Sequence, residues 1–266
     1  MSEQPRSRRL VRQVQQHLDA VAASGIEFVN PTPPPSTSTA PTELESVAPP
    51  SLFAELEPPI TVVTKTPDER RQALTVLADK VRACTTCTEL AVSRTQIVFG
   101  VGPLEPDLCF IGEAPGADED RQGEPFVGAA GQLLNKIIAA MGLRREDVYI
   151  CNMLRCRPPG NRQPTPVECN NCRPFLDEQL ELVKPKFLCA LGATAANNLL
   201  RSKAGINRLR GQFHTYNGIP VICTFHPAAL LPSRSPQLKK DVWEDMKTLL
   251  RRMGRPIPGP GGQTRA

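Results

Sequence analysis

Leu108-Cys109-Phe110-Ile111 runs directly into Gly112-Glu113-Ala114-Pro115-Gly116-Ala117-Asp118-Glu119-Asp120, and the stretch then reaches Pro125-Phe126-Val127-Gly128. Four consecutive apolar residues read as a buried parallel strand, and the glycine-punctuated acidic segment reads as the loop at its carboxyl end. Ligands bind at such ends. Glycine permits close backbone approach there, and Pro115 stiffens the turn. The next segment, Ala130 to Met141, carries Leu133, Leu134, Ile137 and Ile138 at core-facing helical spacing, which completes a βα unit.

The same alternation continues outward. Capping Thr66 with Pro67, Asp68 and Glu69 predicts a helix start, running to about Ala83, and Thr165-Pro166-Val167-Glu168 repeats the signature for a helix to about Leu182. Ile97 to Phe99, Val148 to Cys151, Lys186 to Leu191 and Val221 to Phe225 read as further strands. Ala193 to Arg201 and Pro236 to Arg252 read as helices. Strands alternating with helices predict an α/β fold with a largely parallel sheet.

Composition sets the limits of that domain. The 266 residues include 28 prolines, densest toward both ends. Residues 1–29 suggest an amphipathic helical arm, with Leu10, Val14, His17, Leu18 and Val21 on one side and arginines on the other. The arm is open to an unknown protein partner. Residues 30–65, rich in Pro, Ser and Thr, cannot bury enough surface to offset their chain entropy and read as disordered linker. Residues 66–253 form the folded domain, and 254–266 read as a disordered tail. A net charge of +5 and a pI near 8.8 permit a polyanionic partner. No signal peptide is visible and no apolar run approaches the roughly 18 residues of a membrane span, so a cytoplasmic protein without membrane association is expected.

Nine cysteines argue for buried thiols and a metal or cluster site over a disulfide framework. Cys109, Cys151, Cys189 and Cys223 sit in apolar runs as small hydrophobes. Cys84 and Cys87 form a CxxC pair, and Cys156, Cys169 and Cys172 cluster around a basic loop. Spacing alone allows a zinc site on Cys84, Cys87, Cys169 and Cys172, a four-cysteine iron-sulfur cluster, or a redox-active CxxC.

Four separated motifs add a resemblance. Gly112-Glu113-Ala114-Pro115-Gly116, Pro125-Phe126-Val127-Gly128, Cys151-Asn152-Met153-Leu154-Arg155-Cys156-Arg157-Pro158-Pro159-Gly160-Asn161-Arg162 and Phe225-His226-Pro227-Ala228-Ala229-Leu230-Leu231 occur in the order found in the family 4 uracil-DNA glycosylases, the iron-sulfur branch of that superfamily. The match spans about Ala73 to Met253. It implies a three-layer α/β/α sandwich around a central, largely parallel four-stranded sheet. It also implies a [4Fe-4S] cluster on Cys84, Cys87, Cys156 and Cys172, with Cys169 a bystander. The activity implied is a monomeric DNA repair glycosylase that flips deoxyuridine out of single- or double-stranded DNA, hydrolyses its N-glycosidic bond and leaves an abasic site.

The resemblance also assigns residues. His226 would stabilise negative charge on the departing uracil near O2, Asn152 would read O4 and N3–H through its amide, and Phe126 would stack on the flipped base. Ala114 stands where the family 1 enzymes carry an aspartate, which leaves Glu113 or loop carbonyls to orient water. Glu119 would exclude the thymine methyl group. Leu230 and Leu231 would enter the base stack, with Ser233, Arg234, Arg157 and Arg162 on the DNA backbone. Two other readings stay open: a broader hypoxanthine or xanthine glycosylase, and a non-catalytic iron-sulfur DNA-binding module. Joint presence of Glu113, Phe126, Asn152 and His226 weighs against the second, and a zinc-loaded, iron-free preparation would point to an interaction protein instead.

Overall fold

The computed structural model describes residues 65–231 and 236–259. The arm, the linker as far as residue 64, Ser233, Arg234 and the tail from residue 260 lie outside that range.

Helix α1 (Pro67–Ala83) opens with a reciprocal cap: Thr66 Oγ1 accepts the Glu69 N–H and the Glu69 carboxylate accepts the Thr66 N–H. The chain passes through α2 (Thr88–Ser93), β1 (Leu108–Gly112), α3 (Ala117–Gln122), α4 (Ala129–Ala140) and β2 (Tyr149–Asn152). It continues through α5 (Pro166–Val183), capped by Thr165 and Glu168 in the same way, then β3 (Phe187–Leu191) and α6 (Gly192–Leu200). A short α7 (Ile206–Leu209), β4 (Phe213–Tyr216), β5 (Ile219–Thr224) and α8 (Pro236–Arg252) complete it.

The strands lie in the order β2-β1-β3-β5-β4, with every pair parallel except β4 and β5. Side-chain alternation splits the core in two. Leu108 and Phe110 of β1 join Leu134 and Ile138 of α4 and Val242, Met246, Leu249 and Leu250 of α8 on one face. Cys109 and Ile111 join Leu176, Leu180 and Val183 of α5 and Ala195, Ala196 and Leu199 of α6 on the other. Each such fully buried aliphatic side chain contributes about 1.5–3 kcal/mol by leaving water, so the helices are held by packing on both faces of a central sheet.

The α/β sandwich is as expected, but the sheet has five strands and not four. The added strand, β4, pairs antiparallel with β5 through Asn217-Gly218, whose φ values of 47° and 81° are those of a tight two-residue hairpin. Ile97 to Phe99 is not a strand: its Val98 N–H bonds the Arg155 carbonyl, and only Val101 bridges to Ile150. The acidic loop is in part helical, since Asp118 and Glu119 occupy the first turn of α3, where carboxylates meet unpaired N–H groups. The stretch after Met253 is ordered by contacts at first: Arg255 pairs with Asp107 at 2.6 Å and Pro258 is buried.

Parallel register decides where the functional residues gather. Gly112 lies level with Asn152, and Leu191 with Thr224, so the carboxyl ends of β1, β2, β3 and β5 open on one edge. Glu113, Asn152, Gly192 and His226 stand at or just beyond those ends. Among the described residues no helix is long and apolar enough to cross a membrane.

Candidate functional site

A cleft of about 620 Å³ opens at that edge and takes its wall from Glu113, Ala114, Glu119, Phe126, Asn152 and His226. Arg162 also reaches it, as do Pro158 and Asn161.

Asn152 ends β2 and is 2% exposed, and its buried Oδ1 has no hydrogen-bond partner among the described residues. An unmet acceptor in such a place costs about 1–3 kcal/mol, which a ligand N–H recovers. Phe126 packs beside it in a left-handed conformation (φ 55°), a strained geometry for an aromatic residue. Two glycines make this possible. A Cβ on Gly112 would stand 2.4 Å from Asn152 Oδ1 and 2.5 Å from the Phe126 ring, and one on Gly131 would overlap the Phe126 carbonyl. Arg145 holds the preceding turn, donating to the Pro125 carbonyl at 2.6 Å.

The His226 ring centre lies 5.6 Å from that of Phe126, with the planes inclined at 33°. Its Nδ1 accepts the Ala228 N–H at 3.2 Å, which leaves the proton of the neutral ring on Nε2. Burial lowers its pKa to about 4, against the opposing charge of Glu119, so the ring is neutral at pH 7. Because the unfolded chain takes up this proton near pH 6.5, His226 makes stability fall as pH falls from about 6.5 toward 4 and adds no further slope below that. Urea titrations of the wild type and of His226→Gln at pH 7.5 and 5 check this: the wild type should lose more stability over that interval.

Glu119 is a clamp. Its Oε1 accepts the Val127 and Gly128 N–H groups at 3.0 and 2.9 Å, and its Oε2 accepts the Gly116 N–H at 3.1 Å, which ties the loop after β1 to the loop carrying Phe126. Glu119→Ala is expected to cost about 2–4 kcal/mol in urea unfolding, since three backbone donors lose a charged acceptor. Glu113 lines the cleft, and its carboxylate has no hydrogen-bond partner among the described residues.

The expected DNA contacts divide. Leu230 is 3% exposed, turned into the core between α4 and α8 by the short helical turn Pro227–Leu230, so it is no free wedge tip. Leu231 is half-buried and ends the described segment. Arg162 is held by Glu168 at 2.6 Å and Glu89 at 2.7 Å, which raises its pKa and spends its charge inside the protein. Arg157 Nε donates to Asn161 Oδ1 at 2.7 Å and stands outside the cleft wall.

Cys84 caps α1, Cys87 precedes α2, Cys156 follows β2 and Cys172 lies in α5; packing of α1 on α5 brings them around one recess. Val81, Leu90, Leu154 and Phe175 supply its apolar wall, beside Arg94, Arg155, Glu168 and Asn171. Arg94 Nη1 donates to Cys156 Sγ at 3.0 Å and Asn171 Nδ2 to Cys87 Sγ at 3.5 Å. Cys169 instead packs in the core, its thiol pushed up to about 11 by burial. No group of three or more His, Cys, Asp or Glu side chains among the described residues converges tightly enough for one ion. Four cysteines around one recess are a donor set that fits soft, sulfur-liganded metal.

Sequence reasoning passed over Gly131, Arg145 and Asn161 as parts of this site. Gly131 alone carried a signal, because a glycine in a helix interior costs about 1 kcal/mol and implies a packing reason.

Comparison with known proteins gives the same direction. The Uracil DNA glycosylase superfamily model matches residues 99–247. The Type-4 uracil-DNA glycosylase of Thermotoga maritima is 44% identical over 180 residues, covering 67% of this chain and 93% of the relative. That of Archaeoglobus fulgidus is 41% identical over 195 residues, covering 70% and 96%. A Type-5 uracil-DNA glycosylase of Pyrobaculum aerophilum is 33% identical over 146 residues, covering 48% and 64%.

Proposed function

The chain belongs to the uracil-DNA glycosylase superfamily, and we propose that it removes uracil from DNA by hydrolysing the N-glycosidic bond of a flipped deoxyuridine in the cleft at the end of the sheet. The observation that carries this is the pairing, in one cleft, of a buried amide oxygen without a partner among the described residues and a neutral histidine whose Nε2 holds the proton.

Bond cleavage leaves positive character on the sugar and a negative charge on uracil. His226 Nε2–H donates to O2 as that charge develops, and because the ring is already neutral and held by Ala228 it needs no reorganisation. Asn152 Oδ1 accepts N3–H while its amide nitrogen donates to O4; cytosine offers the reverse pattern and is rejected. Phe126 stacks on the base. Glu113, which lines the cleft, orients the attacking water in place of the missing aspartate at Ala114. Glu119, immobilised by three N–H groups, forms the wall beside uracil C5. Leu231 is the apolar side chain left to fill the vacated stack, with Arg157, Ser233 and Arg234 on the phosphates.

Cys84, Cys87, Cys156 and Cys172 would hold a [4Fe-4S] cluster, which when bound ties α1 to the loop after β2 and to α5. Iron and sulfide analysis of anaerobically purified protein tests this: about four of each per chain is expected, and iron-free protein carrying zinc would refute it.

An oligonucleotide with a single uracil, treated with the protein and then alkali, tests the activity. Cleavage at uracil, with matched thymine and cytosine strands intact, is expected. An intact uracil strand would point to a DNA-binding protein without the reaction.

A further inference from the structure

Arg155 is 0% exposed, and no carboxylate among the described residues forms an ion pair with it. One guanidinium nitrogen donates to the Asn152 backbone carbonyl and the other to Gln179 Oε1 at 2.5 Å. Its Nε is buried without a partner among the described residues, and its Cζ lies 6.0 Å from the centre of the Phe99 ring. Gln179 in turn donates to the Phe99 carbonyl and to the Tyr149 hydroxyl. Every group in this shell is neutral, and a buried cation without a counter-charge costs several kcal/mol.

Arg155 itself lines the recess of Cys84, Cys87, Cys156 and Cys172. The carboxylate that lines the same recess, Glu168, is already paired with Arg162, which leaves the cysteine sulfurs. Four thiolates on a [4Fe-4S] core would leave a net negative assembly at this spot, which is the compensation Arg155 lacks among the described residues. We propose that Arg155 is a positioning residue that couples the cysteine recess to base reading: its charge is balanced by the ligated thiolates, and its guanidinium fixes the carbonyl of Asn152. This inference rests on the cluster reading given above. It makes Arg155, one residue before a ligand and three after the base-reading amide, the link through which ligation of the recess sets the position of Asn152.

The test uses the full chain, purified anaerobically, as wild type, Arg155→Met and Arg155→Lys. Three quantities are read: iron and sulfide per chain, the reduction potential of the bound cluster by film electrochemistry, and kcat and KM for uracil excision. Reduction adds an electron to an anionic assembly, so loss of a nearby cation should move the potential of Arg155→Met to more negative values. Its kcat should fall by about 10- to 100-fold per loaded protein, as expected for a reading group displaced by up to 1 Å, with KM little changed. Arg155→Lys should return the potential toward wild type but leave kcat low, because an ammonium restores the charge without the planar fork that bonds both carbonyls. Arg155→Met with wild-type potential and kcat at full iron content would overturn the inference and leave the cluster reading intact; a wild type free of iron and sulfide would overturn both. Where Arg155→Met fails to accumulate, Arg155→Lys decides: wild-type kcat overturns the inference, and lowered kcat at a near-wild-type potential supports it.

Discussion

Replacing His226 with alanine is expected to lower kcat for uracil excision by about 100- to 1,000-fold, with KM changed by less than about threefold. That is the cost of removing one preorganised donor from a developing anion. The size follows from the tautomer. Nδ1 is occupied by the Ala228 N–H, so Nε2–H is the donor the ring has to offer, and its low pKa keeps it neutral throughout the physiological range. The backbone behind the ring is equally specific. Gly192 has φ 89°, and a Cβ there would stand 3.0 Å from His226 Cβ, so the ring is seated against a residue without a side chain. Single-turnover excision on a uracil oligonucleotide measures the loss, and a reduction under about threefold would remove His226 from the reaction.

Asn152→Ala is expected to lower kcat/KM for uracil by about 100-fold or more and to narrow the gap between uracil and cytosine. Two hydrogen bonds to the base are lost, each bearing about 1–2 kcal/mol in a site of this burial. Discrimination should suffer more than folding, because the Asn152 side-chain oxygen has no partner among the described residues to lose. Competition between uracil and cytosine strands reads the ratio directly. A variant that keeps both rate and selectivity would place base recognition elsewhere in the cleft.

Much of this fold could be read from the chain because parallel strands buried on both faces are short continuous apolar runs. Phe187–Leu191 and Ile219–Thr224 are of that kind, and capped helices such as Pro67–Ala83 announce their starts. β4 escaped because Phe213-His214-Thr215-Tyr216 is an edge strand with little burial, although Asn217-Gly218 beside it is a strong hairpin dipeptide. Ile97 to Phe99 misled for the opposite reason. Ile97 and Val98 are buried, but the Val98 N–H bonds the Arg155 carbonyl, which lies outside any strand.

The candidate site divides along the same line. Glu113, Asn152 and His226 stand out because they follow apolar strands, and strand ends are where a doubly wound sheet binds ligands. What joins them is non-local. The Glu119 clamp spans eight and nine residues to Val127 and Gly128, the ion pair of Arg162 with Glu89 spans 73, and the bond of Arg155 to Gln179 spans 24. Such contacts depend on loop paths set by tertiary packing, which no periodicity encodes. Leu230 shows the reverse error: an apolar pair after the histidine reads as an exposed tip, yet the helical turn rotates the first of the two into the core.

The most direct test of this account is a crystal structure of the protein with DNA carrying a single deoxyuridine whose 2′-fluoro substituent blocks cleavage. The account predicts uracil flipped into the cleft and stacked on Phe126, with O4 and N3 on the Asn152 amide and O2 within hydrogen-bond distance of His226 Nε2. A uracil bound with O2 away from His226, or left stacked in the duplex with the cleft free of base, would contradict it.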